Sequence, residues 1–148
     1  MKTLKRSVIL CFVAIMLSSC MSLYDHYTYT NTIEAKVEAL SLMDNSHEEY
    51  ALYKLKADDL RNKMQSMVLY EKGKAKNEIT VKMWEVMGNE NKLMGSYLKL
   101  WENKGTLNPA FIEEAKPQIE EAFNILIQFE EKKDKKSENV LATFINNL

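Results

Sequence analysis

The spacing of apolar residues constrains this chain more than any other feature. Tyr50, Tyr53, Ala57, Leu60, Met64 and Met67 step by 3, 4, 3, 4 and 3, which keeps them on one face of an α-helix. Ile79, Met83, Val86, Glu90, Leu93, Tyr97 and Leu100 step by 4, 3, 4, 3, 4 and 3, with Met87, Met94 and Trp101 as a flanking row at sevens. Ile112, Ala115, Ile119, Ala122, Leu126 and Phe129 repeat the pattern. An earlier segment, Tyr29, Ile33, Val37 and Leu40, carries it more weakly. With only four Gly and two Pro in 148 residues, there is little turn chemistry for a sandwich or barrel.

The boundaries have their own signals. Ser46 and Glu49 have capping-box spacing before the second segment, and Gly73 stops it. Gly88-Asn89-Glu90-Asn91 is a kink or a break in the third, which Gly105 closes. Asn108-Pro109 opens the fourth, and Pro117 should bend it. After the charged run 130–136, residues Val140, Leu141, Phe144, Ile145 and Leu148 share one side of a short helix. The expected fold is all-α: an antiparallel up-down four-helix bundle with a short C-terminal amphipathic tail.

The start of the chain speaks to location. Lys2, Lys5 and Arg6 precede an uncharged run from Val8 to Leu17. Ten residues cover about half of a bilayer core, so the run suits the centre of a secretory signal peptide better than a transmembrane span. It ends in Leu17-Ser18-Ser19-Cys20, which resembles the lipobox of bacterial lipoproteins. The resemblance covers this segment alone. It implies cleavage between Ser19 and Cys20, a diacylglycerol on the Cys20 thiol and an N-acyl chain on the new amino terminus. Two or three acyl chains hold a protein firmly on a membrane. The expected organisation is a signal peptide at 1–19, the lipidated Cys and a short tether at 20–29, a bundle domain at 30–136 and the tail at 137–148. Met21, where an Asp would imply inner-membrane retention, points to the outer membrane facing the periplasm.

Processing would remove Cys11 and acylate Cys20, so the mature body would hold no free thiol, disulfide or Cys ligand. Taking Lys2, Lys5 and Arg6 from twenty basic residues leaves seventeen against twenty-one acidic ones, a net charge of −4. Arg6 and Arg61 are the only arginines. Both facts speak against a nucleic-acid partner.

In an up-down bundle tethered at Cys20, the second-to-third link and the end of the fourth helix lie near the membrane. Those places hold Lys72, Lys74 and Lys76, and Lys132, Lys133, Lys135 and Lys136. They either face anionic headgroups or complement helix dipoles. Tyr24, Tyr27 and Tyr29 either suit the headgroup zone or pack on the bundle. The tail has three open fates: the bundle, the membrane or a partner. The first and third connections, 43–49 and 102–109, fall at the far end.

Catalytic constellations are not visible. His26 and His47 are the only histidines, and Asp44 near His47 makes a surface turn rather than a zinc site. Di-iron Glu-x-x-His pairs, phosphate loops and nucleophile elbows do not occur. Catalytic residues, metal and cofactor are therefore all expected to be none. Met residues at helical spacing read first as core and second as an adaptable groove. Trp84, Met87, Met94 and Trp101 are the candidate partner or ligand face. The expected role is a lipid-anchored, non-enzymatic interaction or accessory protein of the cell envelope, with an envelope protein as partner. The alternative is a binding module for an apolar ligand or exported peptide, of lipid-handling or immunity type.

Overall fold

The structure is a computed structural model and describes residues 23–148. The signal segment 1–19, its cleavage site and Cys20 lie outside the described residues. Six α-helices follow one another: α1 (His26–Asp44), α2 (Tyr50–Lys72), α3 (Glu78–Gly88), α4 (Leu93–Lys104), α5 (Pro109–Lys132) and α6 (Lys135–Asn146). No strand occurs among the described residues, so the all-α expectation holds. The count of four does not, because the third segment is two helices; the tail forms a further, short one.

The break between α3 and α4 is chemical. Asn89 leaves the helix in an extended conformation, and its side chain accepts from the Asn91 amide at 2.8 Å. The chain re-enters through Leu93 at φ 39, a left-handed value that a branched residue adopts only when its surroundings impose it. Glu90, inside the apolar rhythm, is exposed at this break. Helix α2 keeps its seam: Tyr50, Ala57, Leu60, Met64 and Met67 are buried.

Helix α1 departs from the expected seam. Ile33 and Val37 are exposed, while Thr28, Thr32, Ala35, Ala39, Leu42 and Met43 face inward. Small side chains let α1 lie close to α5, its main neighbour. The Thr32 hydroxyl is satisfied by the Thr28 carbonyl at 2.7 Å, so burial costs it no unmet hydrogen bond. The helix also begins inside the span assigned to the tether, capped by Asp25, whose carboxylate accepts from the Tyr27 amide at 2.8 Å.

The capping box at Ser46 does not form. Glu49 is the N-cap of α2 and makes no side-chain capping bond. Ser46 is buried instead, donating to the Met43 carbonyl at 2.7 Å and sharing a hydrogen bond with the Tyr97 hydroxyl. At α5 the cap is as expected: Asn108 accepts from the Ala110 amide, and Pro109 occupies the first turn. The helix continues through Pro117.

The two ends of the molecule are separately tied. At one, the Leu107 amide donates to the Ser46 carbonyl at 2.8 Å and the Tyr50 amide to the Gly105 carbonyl at 2.7 Å. This joins the 43–49 and 102–109 connections. At the other, the start of α1, the α2–α3 link and the end of α5 meet. Helix α6 folds back on α5 and also touches α3, burying Leu141 and Ile145. Of its three open fates, packing on the body is the one observed. The core is rich in thioethers: Met43, Met64, Met67, Met83, Met87 and Met94 are all essentially inaccessible. No described helix is long and apolar enough to cross a membrane.

Candidate functional site

The end where the chain enters α1 holds the densest chemistry. Glu71, on the last turn of α2, is completely buried. It accepts from the Thr28 hydroxyl, from the Asn77 side-chain amide and from Lys74 Nζ at 2.9 Å. Glu130, near the end of α5, is equally buried. Its Oε1 accepts from Thr80 at 2.7 Å, and its Oε2 is ion-paired with Lys133 Nζ at 2.7 Å. Lys133 also donates to Asn77 Oδ1 at 3.5 Å, so Asn77 bridges two Glu–Lys pairs of identical i,i+3 spacing.

Burial pushes the Glu130 carboxyl above its ordinary range, against the opposing pull of Lys133 and Thr80. Asp25 goes the other way. Its partial burial favours the neutral acid, but hydrogen bonds from Lys74, Tyr70 and the Tyr27 amide outweigh this and bring it to about 2. Lys74 lies 2.7 Å from Asp25. Its burial works against the charge, and the two carboxylates together hold its pKa above the ordinary lysine value.

Physically this cluster works as a lock between helix ends. Every carboxylate in it faces a cation, and neither Glu71 nor Glu130 lines any of the four clefts described next. Among the described residues no group of three or more His, Cys, Asp or Glu is placed to hold a metal. His47 sits in the far turn with Nδ1 3.0 Å from the Asp44 carbonyl.

Four clefts lie between neighbouring helices. The largest of these four, about 700 Å³, runs between α5 and α6 and is lined by Ile125, Val140 and Phe144 with Glu121, Lys136 and Asn139. A second, about 410 Å³, lies between α2 and α3 beside Arg61, Gln65, Trp84, Gly88 and Gly95. Others of about 340 and 290 Å³ lie between α1 and α2 and between α4 and α5.

The candidate partner face is reassigned. Trp84, Met87, Met94 and Trp101 are all completely buried and are core, not an exposed surface. Trp101 donates its indole N–H to the Glu48 carbonyl at 3.0 Å, whereas the Trp84 indole N–H is buried without a partner. The lysines divide. Lys74 and Lys133 point at internal carboxylates. Lys72 pairs with Glu85 at 2.7 Å and Lys135 with Glu138 at 3.1 Å. Lys72, Lys76, Lys132, Lys135 and Lys136 are exposed.

Sequence reasoning missed the buried glutamates. The available signal was the repeated Glu-x-x-Lys at two helix ends, which the geometry brings together. Comparison with protein-family models, with curated proteins and with solved structures returns no match.

Proposed function

We propose that this chain is a lipid-anchored, non-enzymatic interaction or accessory protein of the bacterial cell envelope. The carrying observation is Leu17-Ser18-Ser19-Cys20 behind a basic start and a ten-residue apolar run, with five residues between Cys20 and the first described helix at His26. In this reading Cys20 bears the diacylglycerol and N-acyl chain, and the body projects from the membrane. Met21 favours the outer membrane. The body is an up-down core of four rods, α3 and α4 being two halves of the third, with α6 laid on top. Both halves pack on α2, which supports treating them as one rod.

The far end, where 43–49 meets 102–109, is the first surface a soluble partner reaches. The test is metabolic labelling with an alkyne fatty acid in cells producing the full chain, beside Cys20→Ala. Label on the wild type that the variant loses is the expected result; no label on either removes the anchor. Cross-linking in intact cells then identifies the partner.

One observation favours the second reading, a module for an apolar ligand. It is the apolar-lined α5–α6 groove of about 700 Å³, within the size range of small-molecule sites. Native mass spectrometry of the purified protein separates the readings: a retained lipid or peptide supports the module.

A further inference from the structure

Four apolar side chains crowd the corner where the chain enters α1. Leu23 is 85% exposed, Tyr24 51%, Tyr27 52% and Tyr70 41%. They are ordered rather than scattered. Tyr27 and Tyr70, on different helices, have ring centroids 4.6 Å apart. The Tyr70 hydroxyl donates to Asp25 at 2.8 Å, and Tyr24 leans towards Tyr29 at 6.0 Å. Salt-bridged Asp25 and Lys74, with the Lys74 ammonium 4.5 Å from the Tyr70 ring centre, fix the corner from behind.

We propose that this corner seats in the interfacial zone of a phospholipid bilayer, so that the body is held against the membrane by its own aromatic rings. The inference rests on the lipid-anchor reading. Leu23 follows Cys20 by three chain steps, a reach of at most about 10 Å. Acyl chains on Cys20 therefore bring Leu23 and Tyr24 within reach of the headgroups, and the orientation of the body decides whether they seat there. Tyrosine is the side chain suited to that depth, with a ring for the acyl boundary and a hydroxyl for water.

The driving force is apolar rather than ionic. Lys74, beside the rings, is committed to Asp25 and Glu71, so the seating does not draw on it; the exposed Lys72, Lys76, Lys132, Lys135 and Lys136 make the ionic alternative that added anionic lipid tests. Tyr70 extends the contact from α1 to α2, which sets the orientation of the body and points the 43–49 and 102–109 turns away from the bilayer.

The test uses the full chain, processed in cells and reconstituted into phosphatidylcholine vesicles, with intact mass reporting the acyl groups. Because Cys20 is acylated and Cys11 removed in that product, an introduced cysteine is the only thiol. A fluorophore on Tyr24→Cys should be quenched by lipids brominated near the headgroup at least about threefold more than one on Leu52→Cys, an exposed site near the opposite end. The same ratio is expected when anionic lipid is added. Equal quenching at both positions in acylated, vesicle-bound protein overturns the corner and leaves the anchor standing. A difference that appears only with anionic lipid also overturns it, assigning the contact to lysines. A product with no acyl mass on Cys20 brings down the anchor reading, and the corner with it.

Discussion

The Asn89 carbonyl lies directly over Gly95: a β-carbon built on Gly95 would sit 2.4 Å from that oxygen, and 2.6 Å from the Gly88 oxygen. The α3–α4 break therefore folds the end of one helix onto the first turn of the next, and only glycine leaves room. Backbone, not a movable side chain, is what an added methyl would strike. Gly95→Ala should cost about 3 kcal/mol, on the scale of severe overpacking. Gly88→Ala, whose added carbon would meet only Met64 Cβ at an ordinary 3.7 Å, should be neutral or stabilising by up to about 1 kcal/mol. Urea denaturation of both variants checks the contrast; similar midpoints would mean the break is more open than described.

This break also shows what the sequence could carry. The rhythm from Ile79 to Leu100 correctly picked Met83, Val86, Leu93 and Tyr97 for the core, because turn and face survive a local break of four residues. It could not say whether Gly88-Asn89-Glu90-Asn91 bends or stops, since that depends on a backbone contact with Gly95. The α1 seam failed for a different reason. Apolar spacing alone points the large residues inward, but the faces that α1 buries carry Thr28, Thr32, Ala35 and Ala39. Met87, Met94, Trp84 and Trp101 were visible as a stripe, and periodicity alone does not separate a core stripe from a groove. The polar lock was hidden because Glu71 and Glu130 belong to segments 59 residues apart in the chain.

Gly105 marks a second place where only glycine fits. It closes α4 at φ 78, and its carbonyl accepts from the Tyr50 amide at 2.7 Å. An alanine there is strained whatever the space around it. Gly105→Ala should lower stability by about 1 kcal/mol, read as a lower urea midpoint at unchanged slope. A gain in stability would contradict the positive φ at this cap.

The two tryptophans should respond differently to the same change. Trp101 donates to the Glu48 carbonyl at 3.0 Å and meets Tyr50 edge-on and Tyr53 at a tilt. Trp84 contacts Phe123 edge-on at 6.5 Å but leaves its N–H unpartnered. Phenylalanine removes a useful hydrogen bond at 101 and an orphaned donor at 84. Trp101→Phe should therefore cost about 1–2 kcal/mol more than Trp84→Phe. Equal losses would show that ring volume alone decides.

Asp25 should make the fold sensitive to strong acid. Its folded pKa of about 2 lies below the ordinary value of 3.8, so the fold prefers the charged form. That contribution is fully present above pH 4 and is lost as pH falls through 2. Since the side chain is 24% accessible, solvent screening trims it to about 1 kcal/mol. Asp25→Asn should be less stable than wild type at pH 6 by that amount, and the two should converge near pH 2. Thermal melts across this range check it; a constant difference would mean that capping, not charge, is what Asp25 provides.

Glu130 should give the opposite slope. Burial raises its pKa in the fold, so the folded chain takes up this proton at a pH where the unfolded chain does not. Stability linked to Glu130 is thus fully present below the ordinary glutamate range near 4.5. It declines as pH rises through the elevated folded value and then levels off. Glu130→Gln cannot titrate and keeps an oxygen for Thr80, which donates to Glu130 Oε1. Wild type should therefore gain stability relative to Glu130→Gln as pH is lowered from 7 towards 4.5. The measurement is a pair of urea titrations at several pH values in that window. A difference that stays flat, or that shrinks in wild type's disfavour on acidification, would show that Lys133 at 2.7 Å keeps the buried carboxylate ionised throughout. The two slopes together separate the roles of the cluster: Asp25 is stabilised as an anion at the rim, and Glu130 is tolerated as one in the interior.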